Sequence, residues 1–357
     1  MNPIPNIKFK FTALALACLA CSGIANAAEG FKVRYPSAGT LGPELALFNV
    51  QSGVIGSMQI NSTSVTKITG NDGQQAWLPP SVNAKGTSQT ALADLTQHAT
   101  VMQLLGGYIT PADYAGGSLA FAINVPITLH ISRNLSFPQV SATLKNGQPT
   151  TPGAAYLAGL DAQAQANTTS TQGLGDADLS AAWISVRGNL KTSVGVNLVV
   201  PTGQFHSLAS GAAGTPAINI GSGHFYTLRT SGTVAYQASE NLTLGTRVGL
   251  AFNSTNSVDN WRSGNFATLD MAASYKTSIG VFGPQLISIN QYQDDTGGLS
   301  GNQPGGYGAN RYRATGLGLF YATRINNFGL NVGYTSTIAS ANALASNILQ
   351  VRLTKAF

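Results

Sequence analysis

The sequence is poor in three things. It has two cysteines, Cys18 and Cys21, and both lie near its start. Charged residues make up 9% of its 357 residues, against about 25% in an ordinary soluble domain. No apolar run approaches the roughly 20 residues that a membrane helix needs. Each shortage excludes something. Without later cysteines a mature chain holds itself together by backbone pairing and packing, not by disulfides. Low charge argues against a soluble surface, and the short apolar runs argue against a helical membrane bundle. The basic residues are scattered, with no patch interleaved with aromatics, so nucleic acid is not an expected partner.

What is present is apolar and uncharged-polar in balance: 43% hydrophobic residues, 41 glycines, and a remainder rich in Ser, Thr, Asn and Gln. That suits a sheet with one apolar face and one polar, mostly uncharged face. The start has the layout of a secretory signal peptide at 1–27. Lys8 and Lys10 precede the run "FTALALACLA", and "ANA" supplies small residues at the cleavage positions. A lipid-modified cysteine would call for Leu three residues before it, which neither cysteine has. Losing Lys8 and Lys10 leaves 17 basic and 13 acidic residues and lowers the formal charge from +6 to +4.

Alternation of period two recurs along 28–357. In "LAFAINVPITLHI", Leu119, Phe121, Ile123, Val125, Ile127, Leu129 and Ile131 share one parity, with His130 on the other. The pattern predicts strands near 44–60, 93–109, 117–132, 177–187, 192–201, 225–237, 241–253, 265–276, 280–292, 312–324, 328–338 and 347–357. Their connections alternate between short turns ("GNLK", "ASEN", "TSIG", "NN") and longer segments near 61–92, 133–176, 202–224, 254–264, 293–311 and 339–346. Short turns at one end and long loops at the other are the mark of a transmembrane outer-membrane β-barrel. Only a closed sheet satisfies every backbone group in lipid. The expectation is an all-β barrel of about 12 antiparallel strands, surrounded by outer-membrane lipid in a Gram-negative bacterium. A periplasmic β-sandwich also alternates, but it would carry more charge and would not account for an aromatic last residue.

That residue, Phe357, ends the alternating stretch "NILQVRLTKAF". A last strand that pairs with the first leaves no tail, and its terminal ring falls at the periplasmic interface. Phe357 is therefore the expected assembly signal for the barrel-insertion machinery. Lys355 shares the outward parity and would snorkel at the membrane edge.

Several stretches resemble a known family, the outer-membrane proteins associated with the meta-pathway of phenol degradation. They are "YAGGSLAFAINVPI", "GLGDADL" at 173–179, "VVPTGQF" at 199–205, "VDNWRSGNFATLD" at 258–270, and "YQDDTGG" followed by "NRYRATGLG". The resemblance spans about 90–357, and the family usually carries Tyr where Trp261 stands. It implies a barrel that admits aromatic or other hydrophobic small molecules, and it implies no catalytic residue.

No enzyme signature is found and no cofactor is expected. "GLGDAD" lacks the phosphate-cradling pattern, and His98, His130, His206 and His224 are too dispersed for a metal site. His130 has the parity of the lumen, the wrong side for a lipid-hydrolysing barrel. Arg229, Arg247, Asp270 and Arg352 share parity with small or polar neighbours. An Arg facing mid-membrane lipid would cost about 2–4 kcal/mol, so these residues are placed inward. Register counted from Asn253 and Asn265 puts Asp270 beside Val248 and diagonal to Arg247, with Arg229 close to Arg247 across "ASEN". Together with His130 they are candidates for a solute path, or for a structural ion-pair girdle. In the loop "NSTNSVDNWRSGN", Asp259, Trp261 and Arg262 are candidates for loop bracing or solute contact. Nothing in the mature N-terminal segment resembles a plug domain or partner-binding box, so energy coupling is not expected. The reading is a passive channel for small hydrophobic or aromatic solutes; the alternative is a structural or adhesive barrel with a closed lumen.

Overall fold

The computed structural model describes residues 40–46, 51–78, 80–111, 114–204, 223–258, 260–297 and 311–357. The expected signal peptide and Asp259 lie outside the described residues. Twelve strands form the barrel: β1 (Gly53–Ile68), β2 (Ser88–Ile109), β3 (Ser118–Thr143), β4 (Ala177–Arg187), β5 (Leu190–Val200), β6 (Thr227–Gln237), β7 (Leu242–Asn253), β8 (Phe266–Lys276), β9 (Val281–Gln291), β10 (Arg313–Ile325), β11 (Phe328–Ala341) and β12 (Leu344–Ala356). Each pairs antiparallel with the next, and β12 pairs with β1 from Ile55↔Ala356 to Ile68↔Leu344. The sheet is closed. Phe357 extends the seam by one bond, its N–H donating to the Val54 carbonyl at 3.0 Å.

The reason is visible strand by strand. Along β7, Leu244, Val248, Leu250 and Phe252 are exposed while Thr243, Arg247, Ala251 and Asn253 are buried. An exposed apolar row around a closed sheet is a lipid-facing wall, since strand side chains alternate between the two faces. Asn326 takes a left-handed φ of 53° in the two-residue turn between β10 and β11, a conformation asparagine tolerates.

Three departures from the expected elements have physical causes. The first strand begins at Gly53, not near 44; Leu41–Leu45 form a short helix, α1, instead. Leu41 and Leu45 find an apolar seat inside the barrel against Ala235 and Ala272, so tertiary contact overrides the local alternation. β1, β2 and β3 are longer than expected, at 16, 22 and 26 residues. β3 has more than twice the roughly 9–11 residues a tilted crossing needs, and the lengthened strands take up 61–68 and 88–92 of one expected loop and 133–143 of the next. The remainder of the second loop is a helix, α2 (Ala154–Asn167), followed by Thr169–Leu174 paired with β3. That short strand and β4 run in series along the same edge of β3. The break falls at Gly175, whose N–H donates to the Pro126 carbonyl at 2.8 Å; a Cβ there would press on the Pro126 ring.

The third departure reverses a parity. β3 is irregular where Thr100↔His130 is followed by Val101↔Thr128. Past this bulge Ile131 is fully buried, although its alternation places it outward, and His130 is exposed. An extra residue in one strand shifts every later side chain to the other face. His130 therefore does not line the lumen.

Candidate functional site

The barrel interior divides into zones along its axis. At the long-loop end, which is extracellular in an outer-membrane barrel, Val65, Leu95, Leu135, Phe266, Ile289, Tyr312 and Ile348 belong to one buried apolar cluster. These residues come from β1–β3, β8, β9, β12 and the entry to β10, so the cluster is an incomplete apolar ring inside the lumen. At the short-turn end Ile55, Ile109, Ala120 and Ile184 form a second, smaller one. Charged and amide side chains occupy the height between them.

Arg247 stands at the centre of that belt. Directly opposed residues of an antiparallel pair share a face, so inward Asp270 cannot sit beside outward Val248. It pairs with Arg247 itself, one residue away from the expected register, and Arg247 Nε lies 3.2 Å from Asp270 Oδ2. A second carboxylate is closer. Arg247 Nη2 donates to Glu44 Oε1 at 3.0 Å and to Thr40 Oγ1 at 3.3 Å. Glu44 is 1% exposed, so the ion pair is formed out of water. Arg247 thus joins the barrel wall to α1.

The seat of α1 is shaped to fit. A Cβ on wall residue Gly245 would overlap Leu45, and one on Gly42 of α1 would overlap the Phe320 ring. Missing side chains on both partners let the helix lie close to the wall. The N-terminal segment, expected to start the first wall strand near 44, instead enters the lumen as this short helix. Its sequence signal was weak: two leucines four apart flank "GPE", within the first 71 residues whose only acids are Glu29 and Glu44.

Arg229 does not reach Arg247 by the expected cross-turn pairing. Thr233 faces Arg247, and Arg229 faces Ala251. Its partner is Asp178 of β4, an ion pair with both side chains 4% exposed, and Asn197 Nδ2 also donates to Asp178 at 3.4 Å. Asp178 could have been found by parity, because its neighbour Leu179 faces outward. Arg229 and Arg247 do share the lining of a water-sized cavity of about 10 Å³, with Asn197, Ala251, Phe266 and Thr268. Arg352 meets an amide. It donates through Nε to Gln59 Oε1 at 2.6 Å, and Gln59 Nε2 donates to Asn61 Oδ1 at 2.7 Å.

The loop residues sit at the extracellular rim. Trp261–Arg262 pair with Thr296–Gly297 as a two-residue ribbon, and Arg262 Nε donates to the Asn253 carbonyl at 3.0 Å. Beneath the ribbon, Asp295 Oδ1 accepts from Gly264 N at 2.8 Å and from Gln291 Nε2. Burial pushes its carboxyl up to about 6, against these bonds, which favour the charged form. Gln291 Oε1 in turn accepts from Tyr312 N at 3.1 Å, tying this rim to the apolar ring. At the opposite end Lys355 Nζ lies over the Phe357 and Phe328 rings, 4.8 and 5.4 Å from their centroids. Among the described residues no three His, Cys, Asp or Glu side chains gather as a metal would require.

An outer membrane channel from Pseudomonas putida F1 has the same fold. At 13% identity its structure superposes with a TM-score of 0.62 over 87% of this chain and 97% of that one. Looser likenesses include a FadL homologue of Pseudomonas aeruginosa (TM-score 0.40, 10% identity, 97% and 98% covered). A monoaromatic hydrocarbon channel, TodX, is similarly distant (TM-score 0.39, 10% identity, 90% and 95% covered). No curated protein matches the chain. The family model described as "Putative MetA-pathway of phenol degradation" matches residues 81–353, most of the barrel. This outer-membrane β-barrel belongs to that family.

Proposed function

We propose that the protein is a passive channel for small hydrophobic or aromatic compounds. The observation that carries this reading is the apolar ring inside the lumen at the extracellular end. A barrel needs an apolar exterior to sit in lipid; it needs no apolar cluster within its lumen at the extracellular end. Such an interior suits a solute that leaves water reluctantly, because removing apolar surface from water is worth about 25 cal/mol per Å². The family description, which names phenol degradation, supports an aromatic solute. The Pseudomonas putida barrel, which is itself described as an outer membrane channel, supports the channel role. Transport down a gradient asks for no reaction, so none of the luminal side chains is assigned a catalytic role.

Phe357 has a separate part in this reading. As the end of the closing strand, it is the element that the insertion machinery would read.

A structural barrel with a closed lumen is the competing reading, and the seat of α1 favours it. Uptake separates the two. Cells carrying the protein in their outer membrane should take up labelled toluene several-fold faster than cells lacking it. Equal rates, with no current in planar bilayers, would leave the structural barrel standing.

A further inference from the structure

The seat of α1 joins features that a packing contact does not require. One wall cation, Arg247, holds the Glu44 carboxylate at 3.0 Å. Ala235 and Ala272 pack against the leucines beside it, and the Phe320 ring lies against Gly42. Gly245 leaves open the volume that Leu45 fills. Glu44 and Leu45 together present a single carboxylate beside a compact apolar body. We propose that this seat is a binding site for monocarboxylates with a small apolar body, aromatic acids of the benzoate type among them, and that α1 is its built-in occupant.

The electrostatics favour an anion there. Lys191 and Arg352 also attract Glu44, while Asp270 is the carboxylate that the wall sets beside Arg247. With α1 displaced, the surroundings of the seat keep two arginines, Arg247 and Arg352, to the one carboxylate of Asp270, and a solute carboxylate replaces the one withdrawn. A neutral aromatic of the same size meets the same apolar wall but gains nothing from Arg247. The helix is tethered, since Ala46 lies only a few residues before β1, so it competes as an intramolecular ligand at a high effective concentration. Apparent affinity for a solute is then reduced by the fraction of time the helix is seated.

The proposal deepens the channel reading by naming a solute class, and its test reads binding apart from transport. Benzoate and benzyl alcohol are titrated calorimetrically into the purified full chain and into a Glu44→Gln, Leu45→Ala double variant. The two changes loosen both holds of α1 and leave the barrel wall untouched. Benzoate should bind the double variant about 10-fold more tightly than the unaltered chain, the change expected when a competing state is relieved of about 1.4 kcal/mol. Benzyl alcohol should show little of that gain, and adding Arg247→Gln should erase it. Glu44→Gln alone, which keeps the side chain's shape, should move benzoate in the same direction by less. Equal benzoate affinity in the altered and unaltered proteins, or an equal gain for benzyl alcohol, overturns the site. Planar-bilayer current is recorded on the same proteins. Current without a benzoate gain sinks the site and leaves the channel, whereas a benzoate gain without current does the reverse.

Discussion

The apolar ring and the ionic belt are built on the same strands, only a few residues apart. On β8, Phe266 belongs to the ring and Asp270 to the belt, and both have the inward parity. On β7, Ala251 and Arg247 repeat the arrangement. The two regions differ in what holds them. The ring is held by contact alone, so each member matters in proportion to the volume it fills. The belt is held by partners, so a member matters according to whether its partner has another. Arg247 has two carboxylates, Glu44 and Asp270. For Arg229 the ion pair is with Asp178.

Four experiments bear on that contrast. The largest effect should come from removing what closes both regions at once. Deleting Phe357 takes away the last bond of the β1–β12 seam and the proposed assembly signal, so outer-membrane levels should drop sharply. Normal levels of the truncated chain would show that closure does not depend on it.

Next comes the ring. Phe266 is 1% exposed, and Phe266→Ala should cost about 3–5 kcal/mol through lost burial and the cavity left behind. The denaturant midpoint of the purified barrel measures it. A loss under about 1 kcal/mol would mean that the ring is loosely filled.

The rim above the ring should respond to pH. The Asp295 carboxyl is raised from 3.8 to about 6, so the closed rim binds more protons than an opened one between those values. Rim stability should therefore fall as pH rises from about 4 to 6, by at most about 1.4 kcal/mol per pH unit, and level off above. Hydrogen exchange across 260–297 should quicken over that window in excess of its intrinsic pH dependence. Asp295→Asn should remove the excess; an unchanged profile would detach Asp295 from the rim's stability.

The smallest effect belongs to the belt. Asp270→Asn leaves Arg247 paired with Glu44, so the stability loss should be on the order of 1–2 kcal/mol, below the figure for a pair broken outright. Selectivity should shift toward anions, read as a reversal potential under a salt gradient. A loss as large as that of Phe266→Ala would mean that Glu44 does not share the load, and the contrast between ring and belt would fail.

Much of this was legible before any coordinates. Alternation showed all twelve strands and the inward parity of Arg229, Arg247, Asp270 and Arg352, because a membrane wall tolerates polar groups on one face only. The partners were not legible. Pairing Asp270 with Arg247 turns on a register of one residue, and pairing Arg229 with Asp178 joins side chains of β6 and β4 across β5. His130 was misplaced because a bulge carries no reliable mark in a single sequence, yet it flips every side chain beyond it.

The sequence by itself determined the closed sheet, its number of strands and its two faces outside the β3 bulge, since these depend on local period and on the demand that each backbone group be paired in lipid. Tertiary structure alone decided what fills the barrel. Whether Leu41–Leu45 becomes a strand or a helix in the lumen depends on Gly245, Phe320, Ala235, Ala272 and Arg247, which lie about 190 to 280 positions away in the chain and meet only once the barrel has closed.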